Sequence, residues 1–347
     1  MVDYLIIGSG LAGISFAETA LRGKKKIFVF DCGQNSSSNV AAGLYNPVIL
    51  KRFTPVWDAQ NQLILLDEFY SKLELKLQRQ FDFKKPILRK FFSIEEQNNW
   101  YIASDNVGLT PFLSTKLISD KFPGIESPYD YGEVKETGYV EVSELLKSYK
   151  QYLQDLNIYR VDFFDYDRLE INEDYVQYDN VKAKHIVFAE GFGMHQNPFF
   201  RELPLDGAKG ELLVIKAPNL DLDVIVNTNV FILPLGNHLF KVGSTYNWND
   251  KTSTPTDQGK QELIDRIKEI LTCEFEIISH YAGIRPTVKD RKPLVGTHLD
   301  FKNVHILNGL GTRGVMLGPS LAKELFDHIE IGTALAPEIN INRFRKK

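Results

Sequence analysis

Three glycines near the N-terminus have the spacing of a phosphate-binding turn. In Gly8-x-Gly10-x-x-Gly13, the first glycine would permit a tight turn, the second would let a pyrophosphate approach bare backbone, and the third would let a helix lie close to a strand. Asp31 follows 18 residues after Gly13 and could accept a hydrogen bond from a ribose 2′-hydroxyl group. An acid here suits the unphosphorylated ribose of FAD or NAD better than that of NADP. Because the motif also occurs in ordinary tight turns, its context decides between the two interpretations.

Two arginines near the C-terminus are flanked by glycines. Arg285 stands in a Gly-Ile-Arg-Pro sequence. Its guanidinium fork could bind a carboxylate through two hydrogen bonds, and the alternative is a structural ion pair with Asp290. Arg313 lies in a longer glycine-rich turn, where it could neutralise an anion or form a plain salt bridge at a helix end. Tyr246 follows a predicted strand and could hydrogen-bond a substrate, or be an ordinary core aromatic residue.

The residues around the first glycine motif predict a strand, a helix and a second strand. Tyr4–Ile7 is a short apolar run typical of a buried strand, and Ile14, Ala17 and Leu21 recur at helical spacing. A second apolar strand, Ile27–Asp31, ends at the acid. The start of the helix would offer open amides and a positive dipole end to phosphate anions. This context favours dinucleotide binding over an ordinary turn.

A second glycine-rich turn between a strand and a helix is predicted near the C-terminus. The apolar strand Val304–Leu307 leads into it, and Leu321 and Leu325 mark the buried face of the helix that follows. Open amides and a positive helix end are expected here too. A further apolar strand, His185–Gly191, would lie beside the first strand and bring Gly191 near the cofactor.

The segment between Cys32 and Trp57 is rich in small and polar residues. Such a composition often marks a linker, but Ala41-Ala42-Gly43 would allow a flat group to press against the backbone. We therefore interpret it as a loop that lines the cofactor.

Two interruptions of the dinucleotide fold predict a second domain. Prolines break up the first, and the second combines strands, a hairpin signal at Gly236-Asn237 and a helix capped by Thr256. Ser143 is expected to cap another helix. The predicted fold class is α/β, with a discontinuous Rossmann-like domain around a parallel sheet (residues 1–79, 136–204 and 283–347) and an α+β substrate domain with a mixed or antiparallel sheet (residues 80–135 and 205–282).

The composition is that of a soluble globular protein. Among 347 residues, 41 are Lys or Arg and 45 are Asp or Glu, and the net charge of −4 gives no reason to expect tight nucleic-acid binding. Cys32 and Cys273 lie far apart and are interpreted as free thiols in a reducing compartment. No apolar run has the length of a membrane span and no signal peptide is visible, so a cytoplasmic protein is expected. No metal site is predicted, and the oligomeric state stays open.

The order of these motifs resembles that of the D-amino-acid oxidase superfamily of FAD-dependent oxidoreductases, especially its glycine-oxidase-like branch. The resemblance spans most of the chain, from the first glycine motif to the last glycine-rich turn. It implies noncovalent FAD, since no His or Cys matches the covalent attachment sites of the family. It also implies that the last turn and its helix face the pyrimidine end of the isoalloxazine, and that Arg285 pairs with a substrate carboxylate. The implied activity is oxidation of the C–N bond of an amine or amino acid by hydride transfer to flavin N5.

The residues expected to bind FAD lie in the two glycine-rich turns, at the acid, in the small-residue loop and at the end of the middle strand. They are Gly8, Gly10, Leu11, Ala12, Gly13, Asp31, Cys32, Ser38, Asn39, Ala42, Gly43, Leu44, Tyr45, Gly191, Gly311, Thr312, Arg313, Gly314, Val315 and Met316. Those expected to act on the substrate are Arg285, Tyr246 and Arg313.

One departure from the amino-acid oxidases leaves the substrate open. Where they tend to have His-x-Arg-Asn-Gly, this chain has Gly311-Thr312-Arg313-Gly314, which is similar to the oxidase half of the bacterial bifunctional tRNA wobble-uridine modification enzyme. A second hypothesis is therefore FAD-dependent oxidation of a wobble-uridine side chain in tRNA, against which the acidic net charge weighs. A third is a flavin-binding assembly protein without turnover, in which loss of Arg285 would leave the biological role intact.

Overall fold

The computed structural model describes residues 1–34 and 36–344. Asn35, in the small-residue loop, and residues 345–347, assigned above to the first domain, lie outside the described residues. The α-helices are α1 (Leu11–Arg22), α2 (Ser37–Val40), α3 (Ala59–Leu77), α4 (Ile94–Ser104), α5 (Val142–Asp155), α6 (Asp257–Lys268) and α7 (Gly314–Ile331). The strands are β1 (Val2–Ile7), β2 (Ile27–Asp31), β3 (Leu44–Tyr45), β4 (Val48–Ile49), β5 (Thr54–Pro55), β6 (Asp82–Lys84), β7 (Ile87–Lys90), β8 (Leu113–Ile118), β9 (Tyr131–Val134), β10 (Gly138–Val140), β11 (Tyr159–Val161), β12 (Leu169–Ile171), β13 (Val176–Tyr178), β14 (Val181–Phe188), β15 (Leu205–Lys216), β16 (Ile225–Asn227), β17 (Phe231–Gly236), β18 (Leu239–Gly243), β19 (Glu276–Val288), β20 (Leu294–Thr297) and β21 (Val304–Asn308). Short 3₁₀ turns lie at Tyr166–Arg168, Gly191–Gln196 and Ile341–Phe344.

The strands predicted around the first glycine motif form a parallel sheet. β1 lies between β2 and β14, with Ile6 opposite Val29 on one side and opposite Val187 on the other. β11 continues the sheet beyond β2, and β21 pairs with the end of β14. The predicted position of the strand before Gly191, beside β1, is confirmed. Because these strands are parallel, the turns after β1, β2, β14 and β21 meet at one edge of the sheet.

Two helices that begin at this edge pack closely against each other. A methyl group on Gly314 would lie 2.9 Å from Cδ1 of Leu11, and one on Gly318 would lie 2.6 Å from Oγ of Ser15. The absence of these side chains is what lets α7 lie directly on α1. Since the first residues of the two helices meet and so do residues one turn later, the helices run in the same direction and present their N-termini side by side.

A buried carboxylate joins three helices behind the sheet. The Glu18 side chain on α1 is fully buried and accepts hydrogen bonds from Arg22 Nε (2.7 Å), Lys76 Nζ (2.6 Å) and Tyr149 OH (3.1 Å). Lys76 belongs to α3 and Tyr149 to α5. The carboxylate therefore fixes the positions of α3 and α5 relative to α1.

Replacing Glu18 with alanine is expected to lower the free energy of unfolding by about 2 kcal/mol. The hydrogen bonds to a buried charge are lost, and the three donor side chains are left without their acceptor. The matched control is Glu68→Ala, which removes an exposed ion pair with Lys72 on α3 and should cost under about 1 kcal/mol. Urea denaturation of both variants measures the difference. Equal losses in the two variants would contradict a structural role for the buried carboxylate.

The second sheet has the strand order β19-β15-β18-β17-β16-β7-β9-β8. Neighbouring strands are antiparallel except β7 and β16, which are parallel. The predicted hairpin is confirmed: Asn237 and His238, with φ of 52° and 57°, connect β17 to β18 as the twist of a tight hairpin requires. Thr256 caps α6 as predicted, its Oγ1 accepting a hydrogen bond from the Gly259 amide (3.0 Å). The first sheet has a parallel core to which β12, β13 and β20 add antiparallel strands. Together with its helices and the separate mixed sheet, it confirms the predicted fold class.

The predicted cap of α5 is wrong. The helix begins at Val142, with Glu141 at the capping position, so that Ser143 lies inside the first turn. The Ser143 hydroxyl donates a hydrogen bond to Oε1 of Glu141 (2.9 Å) instead of accepting one from a backbone amide. A serine two residues after the true capping position satisfies the sequence pattern equally well, and the local backbone decides where the helix begins.

Residues 1–34 and 36–344, which the structure describes, contain neither a membrane-spanning helix nor a cluster of metal ligands. None of the helices there combines the length and apolar character that crossing a bilayer requires. Within the same residues, no group of three or more His, Cys, Asp and Glu side chains is placed to hold a metal ion.

Candidate active site

A cavity of about 730 Å³ opens where the ends of the parallel strands meet the second sheet. Its size falls in the range of small-molecule sites, about 300 to 1,000 Å³. Most of the residues predicted to bind the cofactor line it: Gly8, Gly10, Leu11, Ala12, Asp31, Cys32, Ser38, Ala42, Gly43, Leu44, Gly191, Gly311, Thr312, Gly314 and Val315. Arg285 lines the same cavity, with Gly210, Leu212, Phe231 and Ser244 of the second sheet.

The turn between β1 and α1 presents bare backbone to the cavity. Gly8 has a φ of +100°, and a methyl group there would lie 2.5 Å from the carbonyl oxygen of Ala189. The Leu11 amide donates to Oγ of Ser38 (3.2 Å), but no side chain caps the helix and its first turn contains no acidic residue. Apart from Ser38, no side chain caps the start of α1, and its positive end would stabilise an anionic phosphate.

Asp31 is held in place by the glycine turn itself. Its Oδ2 accepts hydrogen bonds from the Ser9 amide (2.8 Å) and the Ser9 hydroxyl (2.5 Å), and its Oδ1 accepts one from the Gly33 amide (2.8 Å). Lys150 Nζ lies 3.8 Å from Oδ1. A carboxylate offers about four lone-pair positions, so Asp31 keeps the capacity to accept a further hydroxyl hydrogen bond.

The second glycine-rich turn leads into α7 at the same edge. Gly311 has a φ of +58° and its amide donates to the Pro286 carbonyl (3.0 Å), which ties the turn to β19. α7 lacks a side-chain cap and acidic residues in its first turn. The N-termini of both helices thus face one cavity, which suits a ligand with negative charge at two places.

Arg313 occupies the capping position of α7 but does not line the cavity. Burial lowers the pKa of its guanidinium, and repulsion from Arg291 lowers it further. In the part of the chain that the structure describes, no carboxylate forms an ion pair with Arg313, so the alternative of a helix-end salt bridge is wrong.

Arg285 projects from β19 towards the cavity and is held by neutral groups. Its guanidinium donates hydrogen bonds to Oγ of Ser244 (2.6 Å) and to the Thr245 carbonyl (3.3 Å). The Tyr246 ring stacks on it, with 4.9 Å between Cζ and the ring centroid. A methyl group on Gly210, on the neighbouring strand, would overlap the guanidinium, so this glycine provides its space.

The predicted structural ion pair of Arg285 is not formed. Asp290 pairs instead with Arg343, whose Nε lies 2.8 Å from its Oδ2. Among the residues described, no carboxylate lies within 4 Å of the Arg285 guanidinium. Burial lowers its pKa, but a guanidinium stays protonated at physiological pH. A partly buried cation without a carboxylate partner beside a cavity can bind an anionic ligand there.

Five other predicted residues lie outside the cavity lining. The Tyr246 ring packs against the Arg285 guanidinium, and Tyr246 is about half exposed. Gly13 packs under Gly8, Asn39 lies on α2, and Met316 is buried in a hydrophobic core. Tyr45 is buried as well and donates a hydrogen bond to Asp82 (2.8 Å).

The chain matches one protein family over nearly its whole length. A family model described as FAD dependent oxidoreductase (DAO) matches residues 3–328. The chain belongs to this family. The resemblance inferred from the order of the motifs is thereby confirmed, and the protein is an FAD-dependent oxidoreductase.

Individual relatives carry the names of amino-acid oxidising and tRNA-modifying proteins. Glycine oxidase of Bacillus licheniformis is 22% identical over 94% of this chain and 92% of its own length. Glycine oxidase of Bacillus subtilis (strain 168) is 27% identical over 43% of this chain. The tRNA 5-methylaminomethyl-2-thiouridine biosynthesis bifunctional protein MnmC of Marinobacter nauticus is 25% identical, also over 43% of this chain. These last two matches span only 42% and 26% of the relatives' own lengths.

Solved structures share the fold over both sheets. Glycine oxidase from Bacillus cereus ATCC 14579 superposes with a TM-score of 0.77 at 20% identity, covering 96% of each chain. Iminodiacetate oxidase from Chelativorans sp. BNC1 superposes with a TM-score of 0.78 at 16% identity, covering 96% of this chain and 97% of that one. At such identities the likeness shows the fold alone.

Sequence reasoning missed a partly buried acid in the site of this FAD-dependent oxidoreductase. Glu190 follows β14 and lines the cavity together with Tyr166. The Tyr166 hydroxyl donates to its Oε1, and Asn197 Nδ2 donates to its Oε2 (2.7 Å). Burial raises the pKa of Glu190 to about 7, although the two hydrogen bonds lower it. The available signal was an acid between Ala189 and Gly191, at the end of an apolar strand.

Proposed function

We propose that the protein oxidises the C–N bond of a small-molecule amine or amino acid and holds FAD noncovalently. The single observation that carries the substrate part of this proposal is the partly buried guanidinium of Arg285. It lines the cofactor cavity and has no carboxylate partner among the described residues. A carboxylate on the substrate would complete its pairing.

The cofactor would be held by the two uncapped helix ends and the acid. The turn at Gly8 and Gly10 and the start of α1 would bind the pyrophosphate, and Asp31 would accept a ribose hydroxyl. The start of α7, after Gly311, would stabilise negative charge on the ring system. The flavin supplies the hydride acceptor, N5, and the protein supplies binding and orientation.

The second sheet would form the substrate side of the cavity. Within the proposed substrate domain, residues 80–135 and 205–282, the walls of the cavity come from Gly210, Leu212, Phe231, Ser244, Ser253 and Ala282. Arg285 would anchor the carboxylate, and Tyr246 would fix the plane of its guanidinium through their stacked arrangement. Arg313, which is outside the cavity lining, would act on charge in the site at a distance.

An absorption spectrum followed by an anaerobic titration tests the proposal. Purified protein is expected to show the spectrum of oxidised flavin, and acid precipitation should release the flavin into the supernatant. One member of a panel of amines and amino acids should then bleach the visible flavin band without oxygen. Flavin that stays with the precipitate would contradict noncovalent binding, and failure of every carboxylated amine to bleach it would contradict the substrate class.

A second candidate function is oxidation of a side chain on tRNA. It is supported by the similarity to MnmC and by Gly311-Thr312-Arg313-Gly314 in the last turn. This function predicts retention of tRNA that weakens steeply with salt, because phosphate contacts release counterions. Retention of tRNA by the holoenzyme, with no bleaching by free amino acids, would favour it over the first proposal.

A further inference from the structure

Glu190 lies directly beside the turn that would bind the pyrophosphate. A methyl group on Gly8 would lie 3.4 Å from the Cα of Glu190. On its other side, Gly191 is fixed by Asn308, whose Nδ2 donates to the Gly191 carbonyl (2.9 Å). Tyr166 and Asn197 hold the two carboxyl oxygens. The position of this carboxyl group is therefore set from three sides, next to a site for negative charge.

No positive charge compensates the carboxyl group in this position. Among the residues that the structure describes, no Lys, Arg or His nitrogen lies within 4 Å of its oxygens, and its hydrogen-bond partners are neutral. The titratable or charged side chains that line the cavity with it are Asp31, Cys32, Asp162, Tyr166, His195 and Arg285. Arg285 lies on β19 and is hydrogen-bonded to Ser244 and Thr245.

We propose that Glu190 is part of the cofactor site and binds the flavin dinucleotide as an uncharged carboxyl group, with its proton available to the ligand. This inference rests on the proposed noncovalent FAD site. An ionised carboxylate next to the pyrophosphate would repel it, since both groups are anionic. The neutral acid would instead offer a hydrogen-bond donor.

The affinity for FAD should therefore fall as pH rises. Burial already raises the pKa of Glu190 to about 7 in the free protein, and the bound pyrophosphate would raise it further. The affinity for FAD is then highest below the pKa of Glu190 in the free protein. It decreases between that pKa and the higher pKa of Glu190 in the complex. In this interval the Kd should increase about tenfold per pH unit, because one proton is required for binding.

Titration of apoprotein with FAD, followed by flavin fluorescence between about pH 6 and 9 at constant ionic strength, tests this linkage. Glu190→Gln removes the titration and keeps the shape, since the glutamine amide can donate to the Tyr166 oxygen while its carbonyl accepts from Asn197. We expect the Kd of the wild type to increase with pH and that of Glu190→Gln to stay constant.

Two further variants separate Glu190 from its neighbours. His195→Gln removes the histidine that lines the cavity, and it should keep the slope of the wild type. Tyr166→Phe removes a hydrogen bond that favours the charged form, so the decrease in affinity should begin at higher pH. This variant also tests the inference if Glu190→Gln does not fold.

The outcomes distinguish this inference from the function on which it rests. Tight binding at every pH in the wild type, an unchanged slope in Glu190→Gln, a flat profile only in His195→Gln, or an unshifted onset in Tyr166→Phe would each overturn the role of Glu190 and leave the FAD site intact. Absence of FAD binding at every pH would overturn both.

Discussion

Replacing Arg285 with methionine is expected to raise the KM for a carboxylated amine substrate about 100-fold to 1,000-fold, since losing one partner of a buried charged pair costs about 3 to 4 kcal/mol. Methionine fills a similar volume without the charge and the two donors. Arg285→Lys should give an intermediate loss, because a lysine keeps the charge but cannot form the bidentate fork. Steady-state kinetics with the substrate found by anaerobic titration measure both effects.

The Arg285 variants also decide what the arginine binds. If its partner is a carboxylate, an amine that lacks this group should be oxidised with nearly the same kcat/KM by the wild type and by Arg285→Met. The control is Arg266→Met on α6, which removes an exposed ion pair with Glu262 and should leave the kinetics unchanged. An equal loss for both classes of substrate would assign Arg285 a structural role, and a loss of bound flavin would move it to the cofactor site.

Local patterns were sufficient to predict the first β-α-β unit. The predicted strand Ile27–Asp31 has the observed bounds, and the helix between the strands carries its apolar residues at regular spacing. The order of the second sheet could not be predicted in this way. β7 pairs in parallel with β16 across more than 130 residues, and its neighbours are set by which apolar faces fit together. The sequence was sufficient to predict that these segments form strands, but not which strands pair with each other.

The site shows the same division between local and long-range information. Glycines and the acid could be assigned because the phosphate turn has a fixed spacing. Gly210, Ser9 and Glu190 were missed because their roles depend on residues distant in sequence. Gly210 leaves space for Arg285, Ser9 holds Asp31, and Glu190 is placed by Tyr166 and Asn197.

Two predicted cofactor residues lie in the core for a reason that is visible in the sequence. Tyr45 follows Leu44 in a strand, and successive side chains of a strand point to opposite sides, so only Leu44 lines the cavity. Met316 lies on the buried face of the first turn of α7, whereas Gly314 and Val315 line the cavity. When a motif spans several adjacent residues, the periodicity of its helix or strand therefore predicts which side chains face the cavity and which face the core.

Replacing Gly13 with alanine is expected to abolish FAD binding at micromolar cofactor and to destabilise the protein by about 3 kcal/mol or more. A methyl group at this position would overlap the carbonyl oxygen of Gly8. That oxygen cannot move aside easily, because Gly8 is fixed on two sides. The Gly8 amide donates a hydrogen bond to the Phe30 carbonyl (2.8 Å), and the Gly8 Cα lies against Ala189. Relief of the overlap must push α1 away from β1, which moves the phosphate-binding amides.

Gly108→Ala is the matched control for this substitution. It makes the same chemical change at a glycine remote from the cavity, where a methyl group would meet Pro55 Cγ at 3.4 Å, an ordinary contact. The flavin content after purification and the urea midpoint should therefore be close to wild type for Gly108→Ala and reduced for Gly13→Ala. If Gly13→Ala retained a full complement of flavin and wild-type stability, the close contact of helix and strand would not be what forms the dinucleotide site.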